Sequence, residues 1–102
     1  METVELEAII KVGLHKECMK DRKGYGTGIR PNHWIPGREY TFMGQIDFED
    51  RDWLHPGETC KARFRFLIPA QDQSKFVTGF TWHICEVNQI MGYGTIISII
   101  NN

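Results

Sequence analysis

The chain has 102 residues, enough for one hydrophobic core and too few for two. Hydrophobic residues make up 41% and charged residues 25%, the ordinary balance of a globular domain. The formal net charge of −1 gives no overall pull toward nucleic acid, so any electropositive surface must come from local clustering.

In chain order, the strongest local signal is period-two alternation, the mark of half-buried strands. Over residues 3–13, Val4, Leu6, Ala8, Ile10 and Val12 fall on one face, with Glu5, Glu7 and Lys11 on the other. Residues 14–37 break this rhythm and predict a long loop carrying Lys16, Lys20, Arg22, Lys23, Arg30 and the spaced glycines Gly24, Gly26 and Gly28. Loops of that length are usually functional or disordered. Over residues 38–48, Tyr40, Phe42, Gly44, Ile46 and Phe48 alternate with Glu39, Thr41, Gln45 and Asp47, and the acidic stretch 47–52 reads as a solvated hairpin tip. Residues 59–68 alternate most clearly, with Cys60, Ala62, Phe64, Phe66 and Ile68 against Lys61, Arg63 and Arg65. Residues 69–76 hold one helical or 3₁₀ turn and no more. In residues 79–87, Phe80, Trp82 and Ile84 oppose Thr81, His83 and Cys85. The last stretch, Met91 to Ile100, is apolar on both faces in its second half, as in a strand buried on both sides or docked against something.

Pro36-Gly37, Pro56-Gly57, Pro69 and Asn88 supply turn chemistry between these runs, and no window carries a capped helical stripe. Five to six strands in so short a chain must curl, because a flat open sheet would leave edges exposed. The expected fold class is all-β, a small closed antiparallel barrel over residues 1–102. No apolar run approaches a membrane span, and the acidic start at Glu2 and Glu5 is unlike a secretory leader, so a cytoplasmic location is expected. Cys18, Cys60 and Cys85 are scattered with no Cys-x-x-Cys pair, which predicts reduced thiols and neither a disulfide framework nor a metal site.

Taken in order, these landmarks resemble the C-terminal (third) barrel of the translation elongation factor Tu family. The strand Val4–Ile10 leads into a long loop that closes on Ile29-Arg30-Pro31, where the family carries Tyr-Arg-Pro. Pro56-Gly57-Glu58 matches the family's Pro-Gly-Asp turn, and Gly79–Glu86 with Gly92–Ile100 looks like its closing strand pair. Gly92 and Gly94 suit a strand that bends as the barrel closes. The resemblance implies contact with translation components: tRNA, a GTPase domain or an exchange factor. No Gly-x-x-x-x-Gly-Lys-Ser/Thr occurs, so the barrel is expected without the family's GTP-binding domain and without GTP hydrolysis. The turn Cys85–Ile90 replaces the family's Arg-Glu-Gly-Gly-Arg-Thr, a region that helps contact the T stem of aminoacyl-tRNA.

The residues themselves offer three constellations. Lys61, Arg63 and Arg65 form an outward stripe whose members sit about 6.5–7 Å apart, a spacing like that of successive phosphates. The loop adds Lys20, Arg22, Lys23 and Arg30; the alternative is a solvated face balanced by Glu5, Glu7 or Asp47. Tyr25, His33 and Trp34 on the loop are placed to stack on a base or anchor a partner, and Trp34 equally to pack on the barrel mouth. His83 and Cys85 share a strand face and could form a catalytic couple or two metal ligands, or be ordinary strand residues. The functional expectation is a non-enzymatic module for a protein partner or structured RNA such as tRNA, with no cofactor, metal or catalytic residue. An immunity-type protein that occupies a toxin or mimics the elongation factor is the alternative, and a small Cys/His enzyme the third.

Overall fold

The computed structural model describes residues 2–19 and 22–101, with the backbone alone for Asn101. Its strands are β1 (Thr3–Leu14), β2 (Tyr25–Gly26), β3 (Asn32–Trp34), β4 (Thr41–Phe48), β5 (Trp53–Leu54), β6 (Thr59–Pro69), β7 (Thr81–Glu86) and β8 (Gln89–Asn101). Four of the five long strands fall on the four alternating stretches, and β8 falls on the apolar C-terminal stretch. Residues Ala70–Lys75 form a 3₁₀ turn, as the sequence predicts. Six strands close into an antiparallel barrel in the order β1-β6-β4-β3-β7-β8, and β2 pairs with β5 beside it. No helix among the described residues is long and apolar enough to cross a membrane.

The interior is aromatic. The rings of Phe64 and Phe66 stack 4.4 Å apart at 9°, and Trp82 lies on Phe64 at 5.2 Å and 17°. Rings of this size fit a six-strand barrel only where opposing positions are small. Ala8, Ala62 and Gly44 supply part of that room, and Gly94 lies directly across from Trp82. A Cβ on Gly94 would stand 2.5 Å from the Trp82 ring, and one on Gly44 would collide with Phe64. Gly94 is therefore kept for clearance, and a Cβ on Gly92 would strike the Gly13 carbonyl. The pairing of β8 shifts register opposite Glu7/Ala8, Ile9/Ile10 and Ile84/Cys85, the last of these at Gly92.

Two expectations are corrected. The stretch 14–37 is not one loop: it contains a 3₁₀ turn (Glu17–Met19), β2 and the barrel strand β3. Met19 and Tyr25 are buried with Leu54 in the same continuous core, so the segment is packed inward. The second half of β8 is not buried on both sides, because Ile97 and Ile100 are exposed while Ile96 points inward.

Gly94→Ala is expected to cost about 1–3 kcal/mol through overpacking against Trp82. Urea unfolding followed by Trp fluorescence measures it, with Ser98→Ala, on the exposed part of β8, as a near-neutral control.

Candidate functional site

The basic stripe lies on the outer face of β6, flanked by β1 and β4. In that register Arg63 stands between Ile9 and Asp47, and Arg65 between Glu7 and Gln45. Two of its three cations are paired diagonally with acids: Arg63 Nη1 with Glu7 Oε2 at 2.8 Å, and Arg65 Nη2 with Asp47 Oδ2 at 3.7 Å. Lys61 faces Lys11 directly and makes no ion pair among the described residues. The stripe is thus a cross-strand charge ladder, with one like-charged step at its end.

The cations of the 14–37 segment divide. Arg22 pairs with Glu86 and lies 5.8 Å from the Tyr25 ring centroid. The hydrogen bond from Arg22, which outweighs burial and is reinforced by Tyr25, holds the Glu86 carboxyl below its usual range. Arg30 Nε donates to Gln45 Oε1 at 2.9 Å. Lys23 is exposed, and its carbonyl accepts from Trp53 Nε1 at 2.6 Å. Lys20 lies outside the described residues.

The expected aromatic trio does not form an exposed platform. Tyr25 is buried, its hydroxyl donates to Glu86 Oε2 at 2.6 Å, and burial followed by Glu86 pushes its pKa up. His33 is fully buried on the inner face of β3. Neither can stack on a partner. The sequence placed both outward because their neighbours are remote in the chain: Glu86 for Tyr25, Trp82 and Gly44 for His33. Trp34 alone is half-exposed, stacked on His83 at 5.5 Å and 21° with its Nε1 donating to the Arg38 carbonyl at 2.8 Å.

Trp34 opens onto a groove of about 660 Å³ over the outer face of β3 and β7. Tyr40 and Thr41 form one side, Val87 and Ile90 the other, with Cys85 beneath. This volume lies within the range of ligand and side-chain pockets, about 300–1,000 Å³. The Tyr40 side is fastened from below by Asp72, which is fully buried on the 3₁₀ turn. Arg38 donates to Asp72 Oδ1 through Nε at 3.2 Å and Nη2 at 2.9 Å, and Tyr40 donates to Oδ2 at 2.6 Å. Burial acts to raise the Asp72 pKa, and the hydrogen bonds from Tyr40 and Arg38 outweigh it, so the net shift is downward.

The opposite side carries the one strained residue found among the described non-glycines. Val87 has φ of +53° at the first position of the two-residue turn joining β7 to β8. It is 87% exposed. A β-branched side chain in the left-handed region costs roughly 1–2 kcal/mol, and turns with positive φ at this position ordinarily use glycine. Nothing in the sequence but Trp34 signals this groove, because its walls come from two stretches remote in the chain, 34–41 and 85–90.

His83 and Cys85 do not form a hydrogen-bonded couple. His83 stacks on Trp34 and its Nδ1 is buried without a partner, while burial pushes the Cys85 thiol up, away from the thiolate. The three cysteines are free, and among the described residues no three His, Cys, Asp or Glu side chains converge as a metal site. No family model matches the sequence, and no curated protein is significantly similar to it.

Asp72→Ala is expected to destabilise the fold by about 2–3 kcal/mol, since it leaves hydrogen bonds to a buried charge unmade. Because the folded carboxyl titrates below its unfolded value of about 3.9, its contribution is full above that pH and lost as acid passes the folded value. Urea titrations from pH 7 to 2 should therefore show a shallower acid decline for Asp72→Asn than for the parent chain.

Proposed function

We propose that the chain is a non-enzymatic binding module on an elongation-factor-Tu-type barrel that docks a protein partner through the β3–β7 groove and the Val87 tip. The observation that carries this reading is the exposed, strained Val87 beside a groove lined by Trp34. An apolar tip held in an unfavourable backbone conformation weakens the fold, so its retention points to a role outside folding. Partners consistent with the motif resemblance are a GTPase domain or exchange factor of translation, and equally a toxin engaged by an immunity-type protein. A cytoplasmic setting fits three unpaired thiols.

RNA is the less favoured partner, on the charge ladder. Arg63, Arg65 and Arg22 already face carboxylates, so binding phosphate there would first have to break ion pairs. Catalysis by His83 and Cys85 is also disfavoured, since the thiol is buried and its pKa raised.

Affinity capture from cell extract with variants tests the reading. Val87→Gly should stabilise the isolated chain by about 1 kcal/mol through relief of the left-handed strain, and weaken the captured protein partner about tenfold through loss of the tip. Joint replacement of Lys61, Arg63 and Arg65 by Gln should leave that partner bound. Capture of RNA that weakens steeply with salt and is lost in the triple variant would overturn the proposal.

A further inference from the structure

His33 occupies an unusual place for a titratable group. Its ring is fully buried among Phe42 at 5.1 Å, Phe64 at 4.7 Å and Trp82 at 6.3 Å. Trp82 Nε1–H, which can only donate, points at His33 Nδ1 at 3.0 Å. Nδ1 must therefore accept, which puts the single ring proton on Nε2, facing the Gly44 carbonyl at 3.3 Å. This neutral tautomer ties β3 to β7 on one side and to β4 on the other.

A second proton has no place there. On Nδ1 it would set two donors against each other at 3.0 Å. The side chains facing the ring from β4, β6 and β7 are Phe42, Phe64 and Trp82, with no carboxylate among them; on β7 the neighbouring titratable groups are His83, stacked on Trp34, and the buried Cys85 opposite Asn32, whose thiol burial holds in the neutral form. A buried cation without a partner is driven out or drives its element out. The element is the weakest in the barrel: three residues pair β3 to β4 and three pair it to β7, against eleven paired positions between β1 and β6.

We infer that β3 is an acid-released seam: protonation of His33 frees Asn32–Trp34 from β4 and β7 while the β1–β6 pairing stays closed. Release withdraws Trp34 from the β3–β7 groove, so acid would switch off docking there. That last consequence rests on the proposed groove function; the release itself does not. Burial lowers the His33 pKa to about 4, against a small opposing effect of the Gly44 hydrogen bond. The sign follows: the open segment takes up the proton near its ordinary value of about 6.5, so opening is favoured as pH falls from there toward the folded value. The open population rises up to about tenfold per pH unit across that window, on the order of a hundredfold in all.

Amide hydrogen exchange of the whole chain at pH 7, 5.5 and 4.5, corrected for intrinsic exchange rates, reads this directly. Protection at His33, Trp34 and Ile84 should fall with acid, while Leu6, Ala8, Ile10 and Phe64 on β1 and β6 keep theirs. In His33→Gln, which cannot titrate, the difference should vanish. Parallel loss across both groups, or an unchanged acid response in His33→Gln, overturns the inference. If that variant does not fold, the imidazole ¹⁵N shifts of the parent chain decide. A neutral Nε2–H tautomer that persists below pH 6.5 supports the seam, and titration near 6.5 with β3 still protected removes it. Partner capture at pH 7 is unaffected by failure of the seam, and exchange on the free chain is unaffected by failure of the groove.

Discussion

A neutral imidazole sits where β3 must join β4 to β7, and the rest of the barrel is arranged around keeping it neutral. Trp82 can donate but not accept, and the Gly44 carbonyl can accept but not donate, so His33 satisfies both in one protonation state only. Bringing Gly44 and Trp82 to the ring fixes which residues of β4 and β7 lie level with β3. A three-residue strand has little hydrogen bonding of its own to set register. One buried polar group supplies the specificity that backbone length does not, a use for which buried polar groups are well attested.

The aromatic interior follows from the same constraint. With His33 at the centre, the surrounding positions must exclude water and carry no charge, and Phe42, Phe64 and Trp82 do so. Four or more rings inside six strands overfill the space unless facing positions lose their side chains. Gly94 against Trp82 and Gly44 against Phe64 are the result. The glycines and the rings form one packing solution, and neither is free to change alone.

The five long strands were legible because their inward residues are unambiguous: Phe64, Phe66 and Ile68 against Lys61, Arg63 and Arg65 leave one way to face the core. β3 was hidden because its inward residue is His33, and propensity sends histidine to the surface when its hydrogen-bond partners lie far along the chain. Tyr25 was misplaced for the same reason, since Glu86 is 61 residues away. The stripe was read halfway. Glu7 and Asp47 stood among the acids able to balance it, but only the strand register decides that Arg63 takes Glu7 and Arg65 takes Asp47. The groove was illegible because it forms only where the β3–β4 connection and the β7–β8 turn, some fifty residues apart in the chain, meet in space.

Among the described residues, the outer surface over β3 and β7 is the face that no ion pair crosses. The β1–β6–β4 face is crossed by its own ion pairs, and the side of the 14–37 segment is fastened by Arg22, Tyr25 and Glu86. Over β3 and β7 the pattern changes: a half-exposed Trp34, a buried thiol and an exposed valine in the left-handed region border open space. Local rules of folding are obeyed almost everywhere else in the described chain, with glycine at Gly24, Gly28, Gly37, Gly57 and Gly79 wherever φ is positive. A sequence that uses glycine at each of these positions and valine at Val87 departs from its own pattern at one place. Departures of that kind tend to gather at functional surfaces, and the Val87 side of the groove is one that the backbone rules of folding do not explain.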